Sequence, residues 1–208
     1  IIASMIIFLF LNKKNKKVVK KTFIYGLIFS VFVFSVDFIF NNIFEERHRN
    51  RFNIVMGIKQ DNQGIGYNTN QSRIAFASGG LTGEGFLKGS QTRGNFVPEQ
   101  HTDYIFSTVG EEWGFLGASF IILLYTFLML RIAKRAELQI SLFSKIYSYS
   151  AVTIIFSHFF INIGMVIGLV PTIGIPLPFL SYGGSSLMAF VLLFSIYIKL
   201  DSERTSKW

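Results

Sequence analysis

The densest group of proton-moving side chains in the sequence is Pro98-Glu99-Gln100-His101-Thr102-Asp103, directly ahead of the apolar run Tyr104-Ile105-Phe106. Thr102 is of a type that caps helices. If it caps here, Asp103 falls in the first helical turn, where the helix dipole favours a carboxylate. The same carboxylate, partly desolvated at a bilayer boundary, also suits a general base, because loss of water raises its pKa against the dipole. Residue types alone leave the cap and the base both open. His101 stands beside Asp103 either to orient it or as ordinary loop packing.

Other groups follow the same logic. Glu111 and Glu112 come about two turns after Asp103, with Glu111 at i+8 near the same helical face. Carboxylates at that depth are costly unless paired or hydrated, so Glu111 reads either as a site residue or as the partner of an arginine. His158 and Asn162 share a face at i+4, as a satisfied polar pair within the bundle or as a proton relay. Asp37, inside an apolar run, reads as an interhelical hydrogen-bonding group. With no cysteine in the chain, a disulfide framework, a thiolate metal site and a cysteine nucleophile are excluded, and three histidines in all argue against a multi-histidine metal centre.

The elements that must position these groups are membrane elements. Half of the 208 residues are hydrophobic, only 15% are charged, and phenylalanine alone supplies 24 of them. With a mean hydropathy of +0.45, this is a membrane composition. A formal charge of +8 would suggest a nucleic-acid partner in a soluble protein. Here most lysines and arginines flank apolar runs, where the positive-inside rule accounts for them, and no nucleic-acid motif is present.

The predicted fold class is all-α: a polytopic membrane helical bundle with a long extracytoplasmic loop that contains short helices. Residues 1–11 form an apolar run too short to span, read as the tail of a spanning helix in the C-terminal portion of a longer membrane domain. The lysine-rich segment Asn12 to Lys21 reads as cytoplasmic. Spans are predicted at about 22–44, 105–130, 142–170 and 184–200, with the extracytoplasmic loop at about 45–104 and a polar tail after Leu200. Within the loop, Asn70 to Ala77 has helical character and meets a stop at Gly79-Gly80. Gly110 with Gly114, and Gly164 with Gly168, have spacings that let helix backbones approach closely. Pro171, Pro176, Pro178 and the Gly183-Gly184 pair prevent a continuous helix from 171 to 184. Such non-helical backbone is tolerated at membrane depth where it lines a cavity, so Ser181, Tyr182, Gly183, Gly184 and Ser185 read either as neighbours of a substrate site on the side of Asp103 or as a structural turn.

Several of these runs resemble one family. Gln71-Ser72-Arg73-Ile74-Ala75, Ser78 through Phe86, Gly94 through Phe106 and Gly110-Glu111-Glu112-Trp113-Gly114 form one set, in order. Asn162 through Gly168, Pro171, Gly174 and Phe179 through Ser186 form a second. Both are similar to the signatures of the FtsW/RodA/SpoVE family, often called SEDS proteins. The wording Gln91-Thr92-Arg93-Gly94-Asn95-Phe96 before Val97-Pro98-Glu99 is closer to the family's elongation branch than to its division branch.

The resemblance implies a multi-pass protein of the bacterial inner (plasma) membrane that polymerises lipid II into glycan strands during elongation and cell-shape maintenance. It makes Asp103, in the His-Thr-Asp motif, the essential acid. One saccharide's GlcNAc 4-hydroxyl would attack another's MurNAc anomeric carbon with inversion, releasing undecaprenyl pyrophosphate. One base and a stabiliser for the departing charge suffice. Arg73, Lys88 and Arg93 are candidates for the pyrophosphate, with Glu99 and His101 alongside Asp103. No cofactor is demanded, although a divalent cation, Mg or Mn, near Glu99 or Asp103 would serve. Implied partners are lipid II, a class B penicillin-binding protein that crosslinks the product, the elongation machinery and membrane lipids. Competing readings are a lipid II flippase or transporter, since broken helices and Asp37 would serve translocation, a division protein, and a scaffold that only positions the crosslinking partner.

Overall fold

A computed structural model describes residues 16–56, 58 and 65–203, all helix, turn or irregular backbone. Among the described residues no strand is present, so the expected all-helical class holds. The apolar run 1–11 and the last residues, 204–208, lie outside the described residues, as does the side chain of Asp37. The chain divides into two compact units, residues 1–50 and 51–208. The first contains α1 (Lys16–Asn42) and the start of α2 (Glu46–Val55). Arg49 donates to the carbonyl of Asn41 across the turn between them.

The second unit carries α3 (Ile65–Ser78), α4 (Ser90–Arg93), α5 (Ile105–Glu137), α6 (Leu142–Ile167) and α7 (Gly184–Glu203). Helix α5 packs against α6, α3 rests on both, and α7 packs on α6. Among the described residues, four helical stretches are long and apolar enough to cross a membrane: Ile24–Asn42, Ile105–Glu137, Leu142–Ile167 and Gly184–Glu203. At 1.5 Å per residue, α6 and α7 extend about 39 and 30 Å, enough for a hydrocarbon core of roughly 30 Å. Much of α5 turns apolar side chains outward, among them Phe120, Leu123 and Phe127, which suits a lipid-facing surface. Two apolar clusters hold the unit together. One, built from Ile132, Ile155 and Tyr197, joins α5, α6 and α7. The other, with Ala75, Tyr104, Phe106, Ile163, Val166 and Leu177, joins α3, α5 and α6 to the segment after α6 and lies beneath the candidate site.

Helix α5 is not continuous. Gly114 has φ 65° and ψ −167°, so the helix breaks there and resumes at Phe115. Hydropathy did not place this break: Glu111 and Glu112 stand just before it, but the apolar residues that resume at Phe115 keep the stretch within one predicted span. The segment after α3 fills the interruption. Glu84 and Gly85 donate their amides to the carbonyls of Glu111 and Glu112 at 2.9 and 3.0 Å, while Phe115 and Leu116 donate to the carbonyls of Gly80 and Leu81 at 2.8 and 3.1 Å. The peptide groups freed by the break are thus paired by a single glycine-rich loop, which an interruption at membrane depth requires. The remaining 23 residues of α5 reach about 34 Å, so the stretch after the break suffices for the crossing.

The glycine spacings have local jobs. A β-carbon on Gly110 would stand 2.2 Å from the Phe76 ring, and one on Gly79 would stand 1.9 Å from the carbonyl of Gly110. These glycines let α3 and its loop close on α5. Gly168, at φ 75°, ends α6 in the left-handed conformation usual for a helix stop, three residues before the expected boundary. Gly164 lies under Val170 of the same turn. Gly110 and Gly114 thus admit close backbone, that of the loop after α3, whereas Gly164 and Gly168 serve the end of α6 and no second helix backbone.

Gly114→Val would force a β-branched residue to positive φ, with its β-carbon about 2.4 Å from the amide of Gly83. The expected loss is at least on the order of 2 kcal/mol, visible as a lower Tm in detergent. Gly184→Ala, with open space around its β-carbon, should melt like the parent.

Candidate active site

The turn before α5 is organised by Glu99. It sits at φ 54°, and its carbonyl accepts the amides of Thr102, Asp103 and Tyr104 at 3.2, 3.1 and 3.3 Å. The Thr102 hydroxyl is 3.2 Å from the same carbonyl and 3.1 Å from the Glu99 carboxylate. Thr102 therefore does not cap α5. The position next to the helix is Tyr104, which makes no side-chain cap, and Asp103 lies in the turn, outside the helical dipole's first turn. The cap reading fails because the hydroxyl is already bonded to Glu99.

Tyr104 is 1% exposed and anchors the turn in the core. Its hydroxyl is 3.1 Å from that of Thr172, which is 2.9 Å from Thr69, and Arg51 donates to the Thr172 carbonyl at 2.7 Å. Asp103 is left half-buried at the mouth. Burial raises its pKa above the ordinary carboxylate value, the like charge of Glu99 raises it further, and the Thr102 hydroxyl pulls it partly back. That is the environment of a stronger base than an exposed aspartate.

The irregular segment 169–183 forms the facing side. Gly174, at φ 77°, comes so close that a β-carbon there would be 3.0 Å from Asp103 Oδ2. Side chains from two helices hold this backbone. His158 Nδ1 lies 3.1 Å from the Pro176 carbonyl, Asn162 donates to the Ile175 carbonyl at 2.8 Å, and the Tyr125 hydroxyl donates to the Pro178 carbonyl. His158 and Asn162 are therefore not partners of each other: both grip the segment. Ser181 is buried and accepts the Leu177 amide at 2.7 Å, which makes it a turn residue. Tyr182 donates its amide to the His101 carbonyl at 2.8 Å, two residues from Asp103, and its ring is 79% exposed. This bond brings Tyr182, Gly183, Gly184 and the exposed Ser185 to the same mouth as His101 and Asp103. His101 Nε2 lies 3.3 Å from Gln100, not against the aspartate.

Glu111 does something other than expected. It is wholly buried, and its carboxylate accepts the amides of Gln91 and Thr92 at 2.6 and 2.9 Å, plus the Thr92 hydroxyl. It holds the start of α4 against α5 and offers nothing to a substrate. Arg73 is likewise a structural residue, because its Nε donates to the Ile167 carbonyl at 3.1 Å and its guanidinium lies over Gly168 at the carbonyl end of α6, where a cation is favoured. Lys88 and Arg93 are exposed, and neither forms an ion pair among the described residues. Arg93 is tied to the site through α4, since Gln100 donates to the Thr92 carbonyl at 3.2 Å. Glu99 is exposed beside Asp103. Among the described residues no three histidine, aspartate or glutamate side chains converge as a metal-binding group. Sequence reasoning missed Arg51, Thr69 and Thr172, whose only signal is their meeting in space.

Long apolar helices with breaks filled by protein backbone define a multi-pass membrane protein, in which a half-buried carboxylate stands in an irregular turn outside the four long apolar stretches. The chain belongs to the FtsW/RodA/SpoVE family of cell cycle proteins, whose sequence pattern matches residues 1–206. It is 38% identical over 165 residues to the peptidoglycan glycosyltransferase MrdB of Escherichia coli K12, covering 78% of this chain and 44% of that protein. It is 37% identical over 139 residues to the peptidoglycan glycosyltransferase RodA of Treponema pallidum, covering 67% and 32%. It is 40% identical over 148 residues to the probable peptidoglycan glycosyltransferase FtsW of Geobacter metallireducens, covering 71% and 39%. The chain thus spans less than half the length of these relatives. A solved chain, from work on how a peptidoglycan synthase complex coordinates polymerization and crosslinking, shares the fold with a TM-score of 0.67 at 24% identity, over 90% of this chain and 50% of that one.

Glu111→Ala should leave the amides of α4 without an acceptor inside the protein and cost on the order of 3 kcal/mol, read as a lower Tm in detergent. An Ala variant that melts normally would make Glu111 a candidate substrate contact again.

Proposed function

We propose that this chain carries the base and part of the leaving-group site of a peptidoglycan glycosyltransferase that polymerises lipid II on the outer side of the bacterial inner membrane. The observation that carries this reading is the half-buried carboxylate of Asp103, raised in pKa and facing an irregular segment that glycine keeps open. Asp103 accepts the proton of the GlcNAc 4-hydroxyl as that oxygen forms its bond to the anomeric carbon of a lipid-linked MurNAc. The bond to undecaprenyl pyrophosphate breaks, and the α linkage becomes β. The names of the relatives support the same chemistry.

Pyrophosphate departure needs positive charge. Arg93 and Lys88 are uncommitted cations on the same stretch, and Arg51 has a buried Nε without a hydrogen-bond partner. Arg73 is a weaker candidate because it serves α6. A divalent cation, Mg or Mn, would fit Glu99 as its protein ligand, since such ions commonly take one or two carboxylates and complete their shell with substrate phosphates. Bound, it would neutralise the leaving group. The basic residues Arg131, Lys134 and Arg135 at the far end of α5 favour the cytoplasmic side for that end, which puts the Asp103 turn outside.

A partner follows from the same reading: a class B penicillin-binding protein would crosslink the strands made here, within the elongation machinery. The solved chain of similar fold comes from an assembly that performs polymerization and crosslinking together.

Two measurements test the base. In the complete gene product, Asp103→Asn should reduce polymerisation of labelled lipid II by roughly 10²–10⁴-fold while lipid II still binds. A transporter or a scaffold predicts normal polymerisation by that variant. Activity should also fall as pH drops through the raised pKa of Asp103. Glu99→Gln removes one cause of that rise, so the acid limb of the rate profile should move to lower pH; a limb that stays fixed or moves upward would contradict the assignment.

A further inference from the structure

Two irregular segments meet at the candidate site; the Tyr182 amide on the His101 carbonyl and the Tyr104 hydroxyl on Thr172 join them to either side, and one side-chain amide joins them at Asp103 itself. Asn162 is fully buried on α6. Its Nδ2 donates to the Asp103 carbonyl at 2.8 Å and to the Ile175 carbonyl at 2.8 Å. Both amide protons are therefore spent on linking the Asp103 turn to the segment after α6. The residue beside Ile175 is Gly174, the one whose missing β-carbon leaves room 3.0 Å from Asp103 Oδ2. A single side chain thus fixes the main chain of the carboxylate and the backbone that faces it.

The other end of the amide argues that packing is not its purpose. Asn162 Oδ1 is buried with no hydrogen-bond partner, a costly condition that an apolar side chain of similar volume would avoid. Asparagine brings two donors at the price of one unsatisfied acceptor. Its neighbour His158, one turn earlier, holds the Pro176 carbonyl, so the segment stays attached to α6 even without Asn162. What Asn162 alone supplies is the tie to Asp103.

We propose that Asn162 is a positioning residue: its amide sets the Asp103 turn against the 174–175 backbone, so that the carboxylate sits at attack distance from the acceptor hydroxyl. The inference rests on the reading of Asp103 as general base. A displacement of about 1 Å in such a group costs roughly 100-fold in rate.

The test uses the complete gene product and labelled lipid II. Asn162→Leu should lower kcat, counted per folded protein, about 100-fold with KM little changed, and with a Tm in detergent lowered because the Asp103 and Ile175 carbonyls lose their donor. Asn162→Gln, which keeps the two donors on a longer arm, should recover a substantial part of kcat. Should the leucine variant fold poorly, Asn162→Ser, with room for a water in place of the amide, carries the same comparison. A folded Leu or Ser variant with normal kcat would overturn the proposal. So would a loss of rate that only tracks the loss of folded protein, without rescue by Gln. Asp103→Asn run in parallel separates the two ideas: if that variant polymerises normally the base assignment falls, whereas an inactive Asp103→Asn beside a normal Asn162→Leu removes only the positioning role.

Discussion

Hydrocarbon offers no hydrogen bonds, so every peptide group at membrane depth must find its partner within the protein. A continuous helix meets that demand automatically. This chain departs from continuity at Gly114 and again between Gly168 and Gly184, and the rest of the second unit is arranged to satisfy what those departures release. At Gly114 the solution is backbone on backbone, with four bonds from the loop after α3. After α6 it is side chain on backbone, with His158, Asn162, Tyr125 and Arg51 each reaching a carbonyl of the irregular segment.

The two solutions have different consequences. Backbone pairing at Gly114 fixes the level at which the loop leaves α5, and from there Glu111 holds α4 in place. Helix α4 then meets the Asp103 turn through Gln100. Side-chain pairing after α6 brings the glycine-rich backbone of residues 174–184 against that turn from the other side. The candidate site is therefore where two irregular segments touch, and its groups are held by helices whose main role is to cross the bilayer. This fits the general pattern in which reactive groups sit on loops positioned by a rigid scaffold.

Much of this was legible in the residues, for reasons that are local. Apolar length gives helices able to cross a membrane, prolines and paired glycines mark where α6 cannot continue, and a run of glutamate, histidine and aspartate before an apolar stretch marks a polar mouth. What stayed hidden is set by distance along the chain. Glu111 meets Gln91 and Thr92 some twenty residues earlier, and Arg51 meets Thr172 more than a hundred residues later. Helical spacing paired His158 with Asn162, but each found a loop carbonyl instead. The break in α5 was hidden for another reason: apolar residues resume at once after Gly114 and carry the predicted span across it, and only its positive φ and the crowded space around its missing β-carbon give it away.

The clearest contrast in the site is between two carboxylates eight residues apart. Glu111 is fully buried, yet three donors converge on it, so its oxygens are satisfied and its access is nil. Asp103 is only half-buried, has another carboxylate for a neighbour and, among the described residues, receives no backbone amide on its oxygens. At Asp103 burial and the like charge of Glu99 outweigh the Thr102 hydroxyl and favour taking up a proton. The first environment makes a clamp. The second makes a group that gains by accepting a hydrogen from an incoming hydroxyl, and its half exposure is what lets that hydroxyl arrive. Full burial would have closed the approach, and full exposure would have left the carboxylate too weak a base to deprotonate it.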